Sequence, residues 1–341
     1  MKLKISLALC ICIVILILGI GIGSVNIPPL NIFRIILHQI FGFTLPRDIT
    51  PATVAIVWNL RLPRTILAFF VGAALSVSGA VMQSVLRNPL ASSFTLGVAS
   101  GASLGASLVI FLGVSLPLIP MMTLPVLGFS FGLGTIFIVI AIATRMDKGM
   151  GNHTIILLGM IFSLFVNALT TLMFALFREG TQRMINWQMG SFVPRTGWNT
   201  WDILGVLVPI VIIGVFLIYR KSLEMDILTF GEEQAQTIGV NTKRAKRVLL
   251  IYGAALTGGS LAFTGIIGFV DLVAPHIVRR IYGSNHKIVV IMSAVFGGGF
   301  MVLADLIART IIAPVELPVG VITALVGAPF FGYIYFIKRK D

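Results

Sequence analysis

The chain has 341 residues, of which 57% are hydrophobic and 11% are charged, and its mean hydropathy is +1.03. A water-soluble domain cannot cover so much apolar surface with polar side chains, so the composition excludes an ordinary soluble protein. The net charge of +13 would suit a nucleic-acid-binding protein, but in a membrane protein basic residues gather on the cytoplasmic side, which is the simpler explanation. Because backbone groups in lipid must bond within the chain, the membrane spans are predicted to be helices.

Long apolar segments follow one another along the chain. A spanning helix needs about 20 apolar residues. The segments that meet this requirement are 5–23, 65–86, 94–114, 118–143, 154–177, 202–219, 288–308 and 319–337. The first has the lysine-flanked apolar core of a signal peptide but no A-x-A-type cleavage site, so it is predicted to remain as the first helix. Its cysteines, Cys10 and Cys12, are interpreted as apolar filler and not as a metal or disulfide site.

The segment 248–278 is apolar over 31 residues and is interrupted by Gly258, Gly259, Gly265 and Gly268. As one helix it would be about 46 Å long, against about 30 Å of hydrocarbon. Basic clusters flank both ends, and if both are cytoplasmic the segment must cross the membrane and return. We therefore predict one full helix and a short returning helix, with the break near Gly265–Gly268. The chain 1–341 then forms a single all-α domain with ten crossings and both termini in the cytoplasm.

The distribution of charge agrees with this topology. The predicted cytoplasmic segments hold all nine lysines and 17 of the 25 basic residues, as the positive-inside rule requires. The basic residues placed outside are all arginines: Arg34, Arg47, Arg61, Arg64, Arg178, Arg183, Arg195 and Arg309. Crossings two to five lie within 61–177, and crossings seven to ten lie within 248–337.

A short internal repeat links the second and seventh crossings. Gly72-Ala73-Ala74-Leu75 recurs as Gly253-Ala254-Ala255-Leu256. Each copy is followed by a proline in a stretch that we expect to be broken, Asn88-Pro89-Leu90 and Ala274-Pro275-His276. The second crossing runs inward and the seventh outward, so the pattern predicts an inverted repeat, which is common in transporters.

The longest polar insertion, 220–247, is predicted to be cytoplasmic. Thr229 can cap a short helix with Glu232 at capping-box spacing, and Gly239 can end it. The spacing alone leaves two interpretations equally open. The segment 229–240 is either a rigid contact for a cytoplasmic partner or a solvated loop between two crossings.

Several blocks identify a family resemblance. They include Arg61-Leu62-Pro63-Arg64, Arg87-Asn88-Pro89-Leu90-Ala91, Gly231-Glu232-Glu233-Gln234-Ala235, Pro275-His276-Ile277-Val278-Arg279 and Glu316-Leu317-Pro318-Val319-Gly320. In order and over residues 55–337, the chain closely resembles the FecCD-type permeases of ATP-binding-cassette (ABC) importers for iron–siderophores, haem and vitamin B12. The resemblance implies two permease subunits around one pathway, two cytoplasmic ATPase subunits and an external substrate-binding protein.

The resemblance also assigns roles to individual residues. The expected ATPase-coupling residues are Gly231, Glu232, Glu233, Ala235 and Gly239. The expected contacts for the binding protein are Arg61, Arg64 and Arg309. Guanidinium groups suit docking because they match a carboxylate at two points and stay charged. The alternative for these arginines is anchoring to lipid headgroups.

Four further residues are candidates for the transport pathway or its gate. Trp187 and Met189 lie in an outer loop where the family has a short helix and gate. Glu316 and Asp271 are acids near membrane depth, where a charge is costly and suggests function. Asp271 departs from the glycine usual in the family, and it could instead cap the returning helix or pair with Arg279 or Arg280. The isolated histidines, including His286, receive no role.

Three classes of function are compatible with a polytopic chain: an ABC importer permease, an ion-gradient-driven carrier and an intramembrane enzyme. No hydrolase motif or intramembrane aspartate pair is present in the sequence, and neither is a P-loop. We therefore expect no catalytic residue, metal site or bound cofactor, and ATP is expected to be used by a partner subunit. A carrier would leave the segment 229–240 unexplained. The expected cargo is an iron–siderophore, with haem or cobalamin as the alternative.

Overall fold

The computed structural model describes residues 1–147, 149–193 and 199–337, and within these ranges the chain forms helices and no β-strand. The α-helices are α1 (Lys2–Gly21), α2 (Pro29–Phe41), α3 (Pro51–Ala55), α4 (Leu62–Val85), α5 (Val98–Leu112), α6 (Thr123–Met146), α7 (Asn152–Leu176), α8 (Thr181–Gln188), α9 (Thr200–Arg220), α10 (Ser222–Thr229), α11 (Glu232–Thr237), α12 (Thr242–Thr264), α13 (Val270–Tyr282), α14 (His286–Thr310) and α15 (Val319–Ile337). A π-helical segment, Ile56–Arg61, joins α3 to α4, and a 3-10 turn, Pro120–Met122, precedes α6. Lys148, Arg195 and residues 338–340, which carry part of the predicted charge distribution, lie outside the described residues.

Ten helices correspond to the ten predicted crossings: α1, α4, α5, α6, α7, α9, α12, α13, α14 and α15. Seven segments of the described chain are long and apolar enough to cross a membrane, and the shorter apolar helices Val98–Leu112 and Val319–Phe330 accompany them. The all-α, polytopic fold is confirmed, and the number of crossings stays a prediction.

The helices differ greatly in how much of their surface the protein itself covers. In the most apolar part of Pro51–Val85, 83% of residues are buried, because α4 packs against α9, α12, α13 and α14. In α1 and α7 only 22% are buried, although both helices are apolar on all sides. Exposed apolar helices of this kind need lipid around them, so the outer helices form a lipid-facing layer around α4.

The predicted break in the segment 248–278 is confirmed. Helix α12 ends at Thr264 and α13 begins at Val270. Gly265 has a φ of +76°, and a Cβ added there would lie 2.0 Å from the carbonyl oxygen of Trp187. A glycine is therefore required at this turn for both conformation and space.

The second predicted break, at Ala274-Pro275-His276, is wrong, because Pro275 lies inside α13. A proline has no N–H to donate to the carbonyl four residues earlier, here that of Asp271. That carbonyl instead accepts a hydrogen bond from Nε2 of Gln83 on α4 at 3.3 Å. A neighbouring helix therefore supplies the missing donor, and the helix continues through the proline.

The two copies of the repeat lie on helices that run in opposite directions. Gly253 of α12 packs on Ser78 and Met82 of α4, and Thr257, one turn later along α12, hydrogen-bonds Ser78 at 2.8 Å. The contacts thus move back along α4 as they advance along α12, as the predicted inverted repeat requires.

Contacts between loops divide the bundle into two ends. At one end Tyr282 donates to the carbonyl of Lys4 at 2.9 Å. At the same end the loop after α4 approaches Gly231 between α10 and α11, the loop after α6 bonds to α12, and α10 bonds to the start of α14. We call this the basic end. The opposite end holds the end of α1, the starts of α4 and α9, and the loop after α14. This grouping agrees with the predicted sidedness, although which end faces the cytoplasm stays a prediction.

Candidate coupling site and charged cluster

The segment between α9 and α12 forms two short helices, α10 and α11, at the basic end. The predicted capping box is wrong, because Thr229 is the last residue of α10 and its hydroxyl donates to the carbonyl of Asp226 at 2.6 Å. The residue before α11 is Gly231, with a φ of +119°. The predicted end at Gly239 is confirmed, since the amides of Gly239 and Val240 bond back to Gln236 and Ala235 at 2.9 and 3.0 Å.

One buried lysine holds α11 against the bundle. Lys246 of α12 has a side chain only 1% exposed, and its ammonium pairs with the carboxylate of Glu232. It also donates to Oδ1 of Asn152 at 2.7 Å and to the carbonyl of Met150 at 3.1 Å. All three donor positions of the ammonium are used, so the lysine ties α11 to α12 and to the loop after α6. Ala235 is fully buried on the same side.

The loop after α6 is organised by Asp147. Its carboxylate accepts hydrogen bonds from the amides of Gly149 at 2.8 Å and Gly151 at 2.7 Å. These two bonds stabilise the charged form and hold the pKa of Asp147 below its usual range. The carboxylate therefore remains ionised at neutral pH and keeps the loop in the shape that supports Lys246.

The other side of α10 and α11 is exposed and partly apolar. Leu223, Phe230 and Ile238 are 62%, 67% and 64% exposed, and Glu233 is also exposed. We call these four residues the coupling surface. Large apolar side chains clustered outside the membrane-spanning segments are typical of a protein–protein contact.

Sequence analysis missed a second anchor of this segment, His286, which it regarded as isolated. The histidine is buried at the start of α14. Its Nδ1 lies 2.6 Å from Oδ1 of Asp226 on α10, and its Nε2 lies 2.5 Å from Oγ of Ser84 on α4. Its two partners lie 60 and 202 residues away along the chain, so no local pattern could have revealed them.

At the opposite end the three predicted docking arginines lie together, and all are engaged inside the protein. Arg61 is buried and donates to the carbonyls of Ile20 and Gly21 at 3.2 and 2.9 Å, and Arg309 donates to that of Gly19. The last carbonyls of a helix have no partner within it. The two guanidinium groups therefore cap the end of α1, and the docking role of both residues stays a prediction.

Arg64 occupies the centre of this charged cluster. Its Nη2 is 2.8 Å from Oδ1 of the buried Asp305, and its Nη1 is 2.8 Å from Oε2 of Glu316. Asp305 also faces Arg309, with 3.5 Å between Oδ2 and Nε. The Glu316 side chain is 44% exposed, so it is the accessible member of the cluster.

An open groove of about 540 Å³ lies between the end of α8, the turn that joins α12 to α13, and α15, and its lining includes Met189, Phe269, Gly320 and Leu325. Of the predicted pathway residues, only Met189 lines it. Trp187 is buried beside it at the end of α8, the short helix expected here. Glu316 belongs instead to the charged cluster.

Asp271 is buried in the first turn of α13. Its carboxylate approaches the amides of Asp271 and Leu272 and the hydroxyl of Ser92, and among the described residues its Oδ2 has no hydrogen-bond partner. Arg279 donates to Gln83, Ala80 and Ser84. The arrangement favours the helix-start interpretation of Asp271 over an ion pair with Arg279.

Comparisons with known proteins agree with this architecture. The model of the FecCD transport family matches residues 11–337. The permease protein YvrB of Bacillus subtilis, named as an uncharacterised ABC transporter permease, is 43% identical over 93% of this chain and 88% of its own. The cobalamin import permease BtuC of Halobacterium salinarum is 37% identical over 84% of this chain and 74% of its own.

A solved structure, described as an inward-facing conformation of a proposed metal-chelate type ABC transporter, superposes with a TM-score of 0.83 and 27% identity. The superposition covers 98% of this chain and 99% of the chain in the solved structure. The bundle built around α4, the broken α12–α13 pair and the segment between α9 and α12 therefore have a common explanation: the chain belongs to the FecCD transport family.

Proposed function

We propose that this chain is the membrane-spanning permease of an ABC importer that moves a chelated metal compound, with an iron–siderophore as the first candidate, into the cytoplasm. The observation that carries the proposal is the coupling surface. It is exposed at the basic end and lies on a segment fixed to the bundle by Lys246 and His286. A permease that must receive force from an ATPase needs such a rigid contact, whereas a self-contained carrier does not.

The complete importer would contain two permease subunits, identical or related, and two ATPase subunits at the basic end. An extracytoplasmic binding protein would dock at the opposite end. In this orientation both termini of this chain would lie in the cytoplasm. Haem and cobalamin are the alternative cargoes, because all three cargo types are metal chelates delivered by a binding protein. No cofactor is assigned to this chain, since ATP would be hydrolysed by the partner subunits.

We propose that the binding protein docks on the charged cluster by an exchange of carboxylates. Arg64 is held by the buried Asp305 and by the accessible Glu316. An acidic residue of a binding protein would replace Glu316 on Nη1 of Arg64, while Asp305 keeps the guanidinium in place. Arg61 and Arg309 would then contribute to docking through the positive field around the charged cluster more than by direct contact.

Uptake by the reconstituted complex tests the proposal. The permease is co-purified with its ATPase and binding protein and placed in liposomes. Uptake of radiolabelled iron–ferrichrome, iron citrate, haemin and cobalamin is then measured with ionophores present. Uptake of one chelate that depends on ATP and survives collapse of the ion gradients is expected. Uptake driven by an imposed ion gradient without ATP would contradict the proposal.

A gradient-driven carrier is the second candidate function. The structure reduces the number of acids that could couple such a carrier to an ion gradient. Asp305 and Glu316 are both paired with arginines. Of Asp271, Asp305 and Glu316, only Asp271 is buried with an oxygen that lacks a partner among the described residues. If the protein is a carrier, Asp271→Asn should abolish uptake. In an ATP-driven importer the same substitution should leave ATP-dependent uptake in place.

A further inference from the structure

A series of buried and half-buried polar groups leads into the bundle from the segment between α9 and α12, which we call the coupling segment. On one side of His286, Oδ1 of Asp226 accepts from the histidine's backbone N–H at 3.0 Å and lies 2.6 Å from Nδ1. On the other side, Nε2 lies 2.5 Å from Oγ of Ser84. The histidine is 1% exposed, so it joins α10 to α4 without intervening solvent.

The chemistry of the groups fixes one end of this arrangement. A carboxylate can only accept, so Nδ1 of His286 carries a proton. The Ser84 hydroxyl has one proton and two acceptors within reach, the carbonyl of Ala80 at 2.7 Å and Nε2 of His286 at 2.5 Å. The order Ser–His–Asp is that of a hydrolase triad, but Ser84 is 4% exposed and its oxygen already accepts from Arg279 at 3.2 Å. A substrate cannot reach this hydroxyl, so the arrangement is not a catalytic site.

The series continues from α4 to α13. Arg279 of α13 donates to Ser84, to the carbonyl of Ala80 at 3.1 Å and to Oε1 of Gln83. The amide of Gln83 in turn donates to the carbonyl that Pro275 leaves without an intrahelical donor. Residue Phe269, which directly precedes α13, lines the groove. Polar contacts thus connect α10, at the coupling surface, to α13, and the turn that leads into α13 forms part of the groove.

We infer that Asp226, His286, Ser84 and Arg279 are positioning residues that transmit movement of the coupling segment to α13. The inference rests on the proposed function and adds the internal route by which ATP hydrolysis would act on the pathway. If α10 moved without α14, α4 and α13, at least one buried polar group would lose its partner, which is costly. The four elements therefore move together, because each bond is stronger inside the protein than in water.

The test separates coupling from assembly by measuring two rates on the same complex. Asp226→Ala and Ser84→Ala each interrupt the series at a different point. Glu224→Ala is the matched control, because Glu224 lies on the same helix and its ion pair with Lys221 stays within the coupling segment. The readout is the number of ATP molecules hydrolysed per chelate molecule taken up, with the chelate from the panel above that the wild type transports.

Both interrupting variants should raise this ratio by roughly five-fold, which corresponds to about 1 kcal/mol of lost coupling. The amount of co-purified ATPase should not change. Glu224→Ala should keep the wild-type ratio. Asp226→Asn should restore it, because the amide oxygen still accepts from the histidine. The double variant Asp226→Ala with Ser84→Ala should be no worse than either single variant, since both interrupt one route.

The possible failures are distinguishable. A wild-type complex with no ATP-dependent uptake would overturn the proposed function and this inference with it. ATP-dependent uptake with an unchanged ratio in Asp226→Ala and Ser84→Ala would overturn the inference alone. A proportional loss of uptake and ATPase activity together with loss of assembled complex would show that these residues only stabilise the fold, and would also overturn it.

Discussion

At the scale of single residues, the charged cluster shows how one residue type can serve two purposes. Arg61 and Arg309 cap the end of α1, and Arg64 binds two carboxylates. Sequence analysis placed all three arginines at the same end of the molecule, as the structure does. It could not foresee the capped carbonyls, because these lie about 40 and 290 residues away along the chain and carbonyl positions leave no trace in a sequence pattern.

Glu316 allows the two roles of Arg64 to be separated. If a binding protein replaces Glu316 on Arg64, then Glu316→Gln removes the competing charge, and docking should become tighter by about 0.2–1 kcal/mol. The affinity of the binding protein for the purified complex is measured across a salt series, since salt weakens exposed charge pairs. Glu179→Gln, an exposed change at the same end, is the control. Weaker or unchanged binding of Glu316→Gln would mean that Arg64 is purely structural.

Gly265 gives a second prediction at this scale. An alanine there would take an unfavourable φ and place its Cβ against the carbonyl of Trp187, so Gly265→Ala should destabilise the protein by about 2 kcal/mol or more. Gly268→Ala is the matched control, because a Cβ there meets no atom within 4 Å. Thermal unfolding in detergent compares the two. Equal midpoints would show that the turn at Gly265 adapts to a side chain.

At the scale of elements, the coupling segment was predicted as one capped helix and is found as two. The polar composition indicated a short helix outside the membrane, and Gly239 indicated where it ends. The extra helix α10 contains Met225 and Leu228, which are buried against the bundle. Its stability comes from this packing and not from a capping motif, which is why the local pattern did not separate it from α9.

The two adjacent glutamates of α11 should behave differently. Glu233 is exposed, so Glu233→Arg should lower the amount of co-purified ATPase several-fold without changing the unfolding temperature of the permease. Glu232→Arg should lower both the amount of co-purified ATPase and the unfolding temperature, because it leaves the buried Lys246 facing another cation. We expect the permease to lose about 1–3 kcal/mol of stability, since the pair is partly exposed. Unchanged ATPase recovery with Glu233→Arg would contradict the coupling assignment.

The broken helix pair shows what periodicity and length can predict at this scale. The length of 248–278 and the flanking charges predicted the break near Gly265 correctly, because the bilayer limits the length of a helix. The expectation that a proline breaks the helix was wrong at Pro275, because a side chain of α4 supplies the hydrogen-bond donor that the proline lacks. The bonds of His286 were missed for a related reason, since tertiary partners decide them.

At the scale of the whole molecule, the sidedness of the bundle is open to direct measurement. Single cysteines at Lys243 and Ser284 should be labelled only from the cytoplasm, and one at Asn199 only from outside. Lys243 is chosen in preference to the neighbouring Thr242, because Lys243 is exposed and Thr242 is buried. The background should lack Cys10, which is exposed. Labelling of Ser284 from outside would mean that 248–278 crosses the membrane once, and the ten-crossing topology would be wrong.

The fold as a whole was predictable because a bilayer leaves few solutions for an apolar chain. Hydropathy located the spans, and charge separated the two ends. The groove and the route from α10 to α13 were not predictable, since each depends on residues from several helices meeting in space. Met189 lines the groove, and its place in the transport pathway stays a prediction. The pairing of Glu316 with Arg64 depends on a contact across 252 residues.

The capping of α1 by Arg61 and Arg309 has a consequence for how the protein is made. Helix α1 is synthesised before α14, yet one of its caps comes from α14, 290 residues later in the chain. At a synthesis rate of about 5–20 residues per second, the end of α1 waits roughly 15–60 s for Arg309 after it leaves the ribosome. During that time Arg61 alone can hold it. The end of α1 is thus fully capped only when α14 has been inserted, and a chain that terminates before α14 lacks the cap from Arg309.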